Sequence, residues 1–171
     1  MASPVKLAHV VLRTSRPKEM CDWYIEALEG RVAFANESMA FMTYDDEHHR
    51  LAFVETGASE RPDDRHTGLH HIAFTYASLR NLLDNYRRLA VLGVEPFWCV
   101  NHGGTTSMYY ADPDGNSVEL QIDNFDTVAE VDAFLTSGVF EENPIGTNFD
   151  PEELLARLDA GEEARALVRP S

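Results

Sequence analysis

The chain has 171 residues, 44% of them hydrophobic and 25% charged, with a formal net charge of -15. That size suits one domain with a real core or two small intertwined modules, and the acidic balance excludes nucleic-acid or anionic-membrane binding, both of which need clustered positive charge. No apolar run approaches membrane-spanning length and no signal-peptide pattern opens the chain, so the cytoplasm is the expected compartment.

In chain order, LAHVVLRT (7–14) reads as a strand with apolar residues on both faces. A helix follows, starting near Ser15 and Pro17, carrying Met20, Trp23, Tyr24, Ala27 and Leu28 on one face, and stopping at Gly30. Three strands are expected near 31–35, 39–44 and 50–55. Residues 61–68 (RPDDRHTG) form a polar linker with Pro and Gly. The plan then repeats. LHHIAFTY (69–76) is a second such strand, Ser78 to Gly93 brackets a helix with Leu79, Leu82, Leu83 and Tyr86 on one face, and strands are expected near 95–100, 106–111 and 117–122. The pattern is βαβββ twice, a duplication with a period of about sixty residues. The expected fold is α+β, two βαβββ modules packed about a pseudo-two-fold axis. Module 1 spans about 5–60 and module 2 about 67–123, the two forming a single domain over 1–123.

Residues 124–171 form a strongly acidic extension. Thr127 with Glu130, and Asp150 with Glu153, resemble capping boxes before apolar runs, so two short helices are expected. For the last ten residues a frayed acidic end is an equal alternative. Apolar helix faces in this tail point to a homodimer or larger homo-oligomer. Cys21 and Cys99 match no zinc spacing and read as packing residues.

The duplication pairs positions between modules. His9 falls opposite His71, and aligning the hairpins puts Ala52 opposite Glu119. With the first strands side by side, His9, His71 and Glu119 would point into one cavity. Two imidazoles and a carboxylate on one face of a metal leave three positions open, the ligand set of non-haem Fe(II) oxygenases. Ala52 offers no fourth ligand, so the site is expected to be open. Taken singly, His9 or His71 reads as a hydrogen-bonded core histidine and Glu119 as the partner of an arginine. His70, on the opposite strand face from His71, reads as structural, and His66 as solvated in the linker.

One stretch is more specific. His102, five residues, Met108, Tyr109, two residues, Asp112, Pro113, Asp114, Gly115, three residues and Glu119 fill a spaced pattern throughout. On it the chain resembles the vicinal oxygen chelate (glyoxalase, bleomycin resistance, extradiol dioxygenase) superfamily, and within that superfamily the single-domain type I extradiol ring-cleaving dioxygenases. The Asp-Pro-Asp-Gly core is also good type I turn chemistry in its own right. The resemblance covers residues 5–123, without the extra N-terminal copy of the unit that many members carry.

The resemblance implies that His9, His71 and Glu119 bind Fe(II), a ligand set Mn(II) also satisfies, with O2 as co-substrate. Tyr109 and His102 would hydrogen-bond the substrate's metal-bound oxygens, and His49, or His48 as the runner-up, would be the acid–base histidine on a strand of module 1. Apart from the resemblance, His48 and His49 read as an exposed polar turn, and Tyr110 as packing. The implied activity is ring cleavage of an aromatic vicinal diol, whether biphenyl-type, simple catechol or L-DOPA-like. Two other readings are an isomerase or antibiotic-modifying transferase with the same ligands, and a metal-free drug-binding resistance protein. Lactoylglutathione lyases resemble the chain less, since they need a ligand where Ala52 stands. Phe41, Tyr44, Phe97 and Trp98 are aromatic candidates for a pocket wall.

Overall fold

A computed structural model of the chain describes residues 2–58, 60, 61 and 65–169. It divides into two compact units. The first comprises residues up to Gly68 together with Asp112–Asn116, and the second comprises Leu69–Ala111 and Ser117 onward. Part of the expected linker, residues 62–64, lies outside the described residues.

The first unit runs β1 (Val10–Thr14), α1 (Pro17–Leu28), β2 (Arg31–Ala35), β3 (Met39–Thr43) and β4 (Leu51–Glu55). Its sheet order is β1-β4-β3-β2, with β1 and β4 parallel and the other pairs antiparallel. Helix α1 turns Met20, Cys21, Tyr24 and Ala27 inward at helical spacing, onto β3 and β4, where Met42, Leu51 and Phe53 are fully buried. Gly30 follows because a Cβ there would meet the Thr43 carbonyl oxygen at 2.8 Å and the Met42 methyl at 2.4 Å. β1 begins three residues later than the sequence pattern predicts. The Leu7 and Ala8 carbonyls are taken by the Arg50 guanidinium at 2.5 and 3.2 Å, outside the strand ladder. β1 is the edge strand of its sheet, and Val11 on it is 52% exposed.

The second unit repeats the plan with β5 (His71–Thr75), α2 (Leu79–Val91), β6 (Trp98–Asn101), β7 (Thr105–Ala111) and β8 (Ser117–Asp123). Its sheet order is β5-β8-β7-β6, the same connectivity, extended by β9 (Thr147–Asn148) on β6. Ser78 caps α2 by accepting the Asn81 amide, and Leu79, Leu82, Leu83, Tyr86 and Leu89 face inward. The duplication thus holds at the level of strand order. It also holds at the level of register. Val11, two residues after His9, pairs with Ala52, and Ala73, two residues after His71, pairs with Glu119. Ala52 is the positional equivalent of Glu119.

The C-terminal residues form four helices, α3 (Val128–Leu135), α4 (Gly138–Glu142), α5 (Pro151–Asp159) and α6 (Ala164–Val168). The Thr127–Glu130 capping box is reciprocal, and Asp150 caps α5 through the Glu152 and Glu153 amides. α4, α6 and β9 go beyond the two helices expected. Val168 is buried, so the last turn is packed up to there, while residues 170 and 171 lie outside the described residues. No described helix is long and apolar enough to cross a membrane.

The turn Asp112–Asn116 closes the β7–β8 hairpin. The Gly115 amide donates to the Asp112 carbonyl at 2.8 Å, and Gly115 takes φ +78°. The Asp112 carboxylate is buried and accepts four hydrogen bonds: the Asp114 and Asn116 amides, the Asn116 side chain and the hydroxyl of fully buried Tyr24. Replacing Asp112 with Ala strands these donors, and we expect a loss of about 2–3 kcal/mol, read as a lower denaturation midpoint. Burial pushes the Asp112 carboxyl above the usual carboxylate range, against the hydrogen bonds from Asn116 and Tyr24 that lower it. A carboxyl raised on folding favours the native state while protonated, and that contribution is lost as pH rises from the ordinary 3.8 through the folded value. The wild type should therefore lose stability relative to Asp112→Asn across that window. Chemical denaturation of both proteins between pH 4 and 7 checks the sign, and a wild type that gains on the variant contradicts it.

Candidate active site

In the second unit one row of side chains crosses the sheet. Register places Ala73, Glu119, Tyr109 and Trp98 directly opposite one another on β5, β8, β7 and β6. Opposed residues share a sheet face, so Glu119, Tyr109 and Trp98 stand side by side. His71, two residues before Ala73, is on the same face and reaches Glu119 diagonally, Nε2 to Oε2 at 2.9 Å. Glu119 is only 4% exposed, and among the described residues no lysine or arginine pairs with it. Its side-chain partner is the His71 imidazole, and Tyr109 stands opposite it on β7. Burial first, then the Glu119 charge and hydrogen bond, push the Tyr109 phenol well up, so it keeps its proton at neutral pH. Trp98 stacks on Tyr109 with ring centroids 4.9 Å apart, and Phe97 lies 6.3 Å from Tyr109.

His102 follows β6 in a tight turn, its amide donating to the Thr105 carbonyl. Its Nε2 lies 3.1 Å from the Tyr109 hydroxyl and its Nδ1 lies 2.5 Å from the Ile145 carbonyl oxygen. Tyr110, on the opposite face from Tyr109, is buried against Met108 as packing. His70 is exposed, with Nδ1 2.7 Å from His71 Nδ1.

The corresponding row of the first unit is Val11, Ala52, Phe41 and Phe34, apolar throughout. The polar groups of this unit sit beside the row. His9 lies just before β1 and stacks on His49 at 4.4 Å, and His49 stacks on Phe41 at 4.8 Å. His49 belongs to the β3–β4 loop, not to a strand as the resemblance implied. Burial first, then the neighbouring His48 and His9, lower its pKa below the ordinary imidazole value, leaving it neutral at pH 7. His48 turns outward, its side chain 69% exposed. Tyr44 is 44% exposed.

His71 and Glu119 are thus brought together in the second unit with Tyr109 and His102, and His9 and His49 in the first. Within neither unit, among the described residues, do three or more His, Cys, Asp or Glu side chains gather into a set able to hold a metal ion. The contacts that Ile145 and Asn148 make to this site carry no sequence signal, since one is a backbone carbonyl and the other lies in a two-residue strand. A buried carboxylate facing an imidazole without a cationic side chain is a donor pair suited to a divalent metal.

An uncompensated buried carboxylate costs stability in the absence of a cation, so Glu119→Gln in metal-free protein should leave the thermal midpoint unchanged or raise it. Scanning calorimetry after chelation checks this. A midpoint that falls by several degrees would make Glu119 a structural residue.

A sequence profile of the glyoxalase/bleomycin resistance protein/dioxygenase superfamily matches residues 6–120. Biphenyl-2,3-diol 1,2-dioxygenase 2 of Rhodococcus globerulus is 44% identical over 162 residues, 94% of this chain and 85% of that protein. Biphenyl-2,3-diol 1,2-dioxygenase 3 of the same organism is 42% identical over 158 residues, 91% of this chain and 83% of that protein. Among solved structures, a glyoxylase/bleomycin resistance protein/dioxygenase domain from Frankia sp. EAN1pec aligns with TM-score 0.60 at 20% identity, over 73% of this chain and 96% of that one. A lactoylglutathione lyase from Agrobacterium tumefaciens aligns with TM-score 0.57 at 18% identity, over 71% of this chain and 96% of that one. The structural matches establish the fold. Alignments of 162 and 158 residues must run into the C-terminal extension, whereas the two solved structures are nearly spanned by less than three quarters of this chain.

Proposed function

The chain belongs to the glyoxalase/bleomycin resistance protein/dioxygenase superfamily, and we propose that it is an extradiol dioxygenase that opens the ring of a catechol-type diol with O2, next to the two hydroxyls. A biphenyl-type diol is the first substrate to test, on the strength of two relatives named for biphenyl-2,3-diol. The observation that carries the reading is Glu119, a buried carboxylate held against an imidazole and a protonated phenol and left without a cationic side chain.

The group that fits this donor pair is a divalent metal, and the ion we infer is Fe(II), held by His71 and Glu119 with His9 as third ligand. Mn(II) satisfies the same residues. The support for His9 is the repeat, which makes it the positional counterpart of His71. The same repeat makes Ala52, which has no donor, the counterpart of Glu119. The bound ion would supply Lewis acidity and a redox couple to a diol and O2 that do not react readily by themselves.

The chain's own residues supply the rest. Tyr109 keeps its proton, which faces His102 Nε2 in the structure and would turn to a substrate oxygen once a diol is bound near Glu119. His102 presents Nε2 to the Tyr109 hydroxyl and orients it. His49, neutral and sandwiched between His9 and Phe41, is suited to accept a diol proton on its imidazole nitrogen. His48, turned to solvent, lacks that setting and is not the preferred base. Trp98 and Phe41 offer flat aromatic surfaces for the substrate ring.

The test is O2 uptake by protein loaded anaerobically with Fe(II), using biphenyl-2,3-diol, catechol and L-DOPA. We expect equal consumption of O2 and one of the diols, with a yellow ring-opened product. His49→Gln should lower kcat on the order of a hundredfold while diol binding persists. Metal-loaded protein that takes up no O2 with any diol overturns the reading and points to an isomerase or transferase.

A further inference from the structure

The turn that carries His102 closes on its own hairpin bonds and is braced from outside by the C-terminal extension. The Asn124 side chain donates to the Asn101 side chain at 2.9 Å and to the Gly103 carbonyl at 3.0 Å. The Asn101 side chain donates in turn to the Val168 carbonyl at 2.7 Å. The Phe134 ring of α3 lies where a Cβ on Gly103 would be. β9 pairs with β6, Thr147 opposite Asn101 and Asn148 opposite Val100, and Trp98 Nε1 donates to the Asn148 side chain at 2.9 Å. Ile145 exposes its side chain and points its carbonyl at His102 Nδ1.

A carbonyl oxygen has no proton to give. A 2.5 Å contact with it therefore requires the proton to be on Nδ1. In the neutral form of an imidazole with its proton there, Nε2 is bare, and here it lies 3.1 Å from the Tyr109 hydroxyl. We propose that the C-terminal extension is part of the active site, and that the Ile145 carbonyl is a positioning group that fixes His102 in the Nδ1–H tautomer and keeps Nε2 as the acceptor facing Tyr109. The chemical consequence rests on the ring-cleavage reading, but the tautomer does not. Two observations bear on the role of the extension. It lies outside the superfamily profile, yet the alignments with the two diol dioxygenases run into it. Gly146 is also built into the contact, with φ +98° and a Cβ position that would run into the Asn101 carbonyl and the His102 backbone, so a side chain there forces the segment bearing the Ile145 carbonyl and the His102 backbone apart.

The test is 15N NMR of histidine-labelled full-length protein, with and without diamagnetic Zn(II), alongside kinetics of the Fe(II)-loaded enzyme on biphenyl-2,3-diol. In the wild type we expect His102 Nδ1 protonated. In Gly146→Val the proton should move to Nε2 or divide between the nitrogens, and kcat should fall on the order of a hundredfold with little change in KM. A bare Nδ1 in the wild type overturns the proposal, whatever the variant does. So does a Gly146→Val protein that folds with the His102 tautomer and kcat unchanged. If the tautomer shifts as expected but neither protein consumes the diol, the clamp stands and the ring-cleavage reading fails.

Discussion

The structure turns on one carboxylate. Glu119 lies on an inner strand of the second sheet, 4% exposed, between Ala73 on one neighbouring strand and Tyr109 on the other. A charge in that position is expensive unless something meets it, and the sheet supplies only an imidazole, His71, with the neutral Tyr109 phenol on the next strand. That deficit explains why a superfamily domain with an otherwise ordinary core would keep an acidic residue in its wall. A divalent cation removes the cost and gains a ligand at the same time.

Duplication followed by divergence of the two copies accounts for the rest of the arrangement. The same strand order occurs twice, and the same register occurs twice, yet the equivalent row is apolar in the first unit and carries Glu119, Tyr109 and Trp98 in the second. The first unit instead displays histidines at the edge of its row, with His49 held between two rings. The two copies of one supersecondary plan thus present different chemistry, stacked imidazoles in the first and a buried carboxylate with a phenol in the second. The hairpin turn at Asp112 illustrates the same economy. Its carboxylate accepts three hydrogen bonds from the turn itself and one from Tyr24 of α1, so the turn serves to fix the two strands that carry Tyr109 and Glu119.

Much of this was legible in the chain itself. Alternating and helical periodicities located both helices and all eight strands of the repeat, and the spacing from His102 to Glu119 pointed to the row that register then assembled. What escaped was what periodicity does not encode. β1 starts at Val10 because an arginine side chain, distant in sequence, takes the preceding carbonyls. His49 lies in a loop because the seven residues between β3 and β4 are tied by side-chain hydrogen bonds to Asp45 and by ring stacking instead of a ladder. β9 is two residues long, too short for any pattern, and the group that Ile145 offers is a backbone carbonyl common to every residue. The acidic composition of the extension gave no sign that it touches the site.

The central claim is that the buried carboxylate is there for a metal. The most direct measurement is an anaerobic Fe(II) titration by calorimetry, on the wild type and on His9→Gln, His71→Gln and Glu119→Gln, with bound iron counted after gel filtration. A single Fe(II) per wild-type chain, lost or greatly weakened in each of the three variants, is the result this account predicts. Iron that binds the Glu119→Gln protein as tightly as the wild type, or no binding to the wild type, would contradict it.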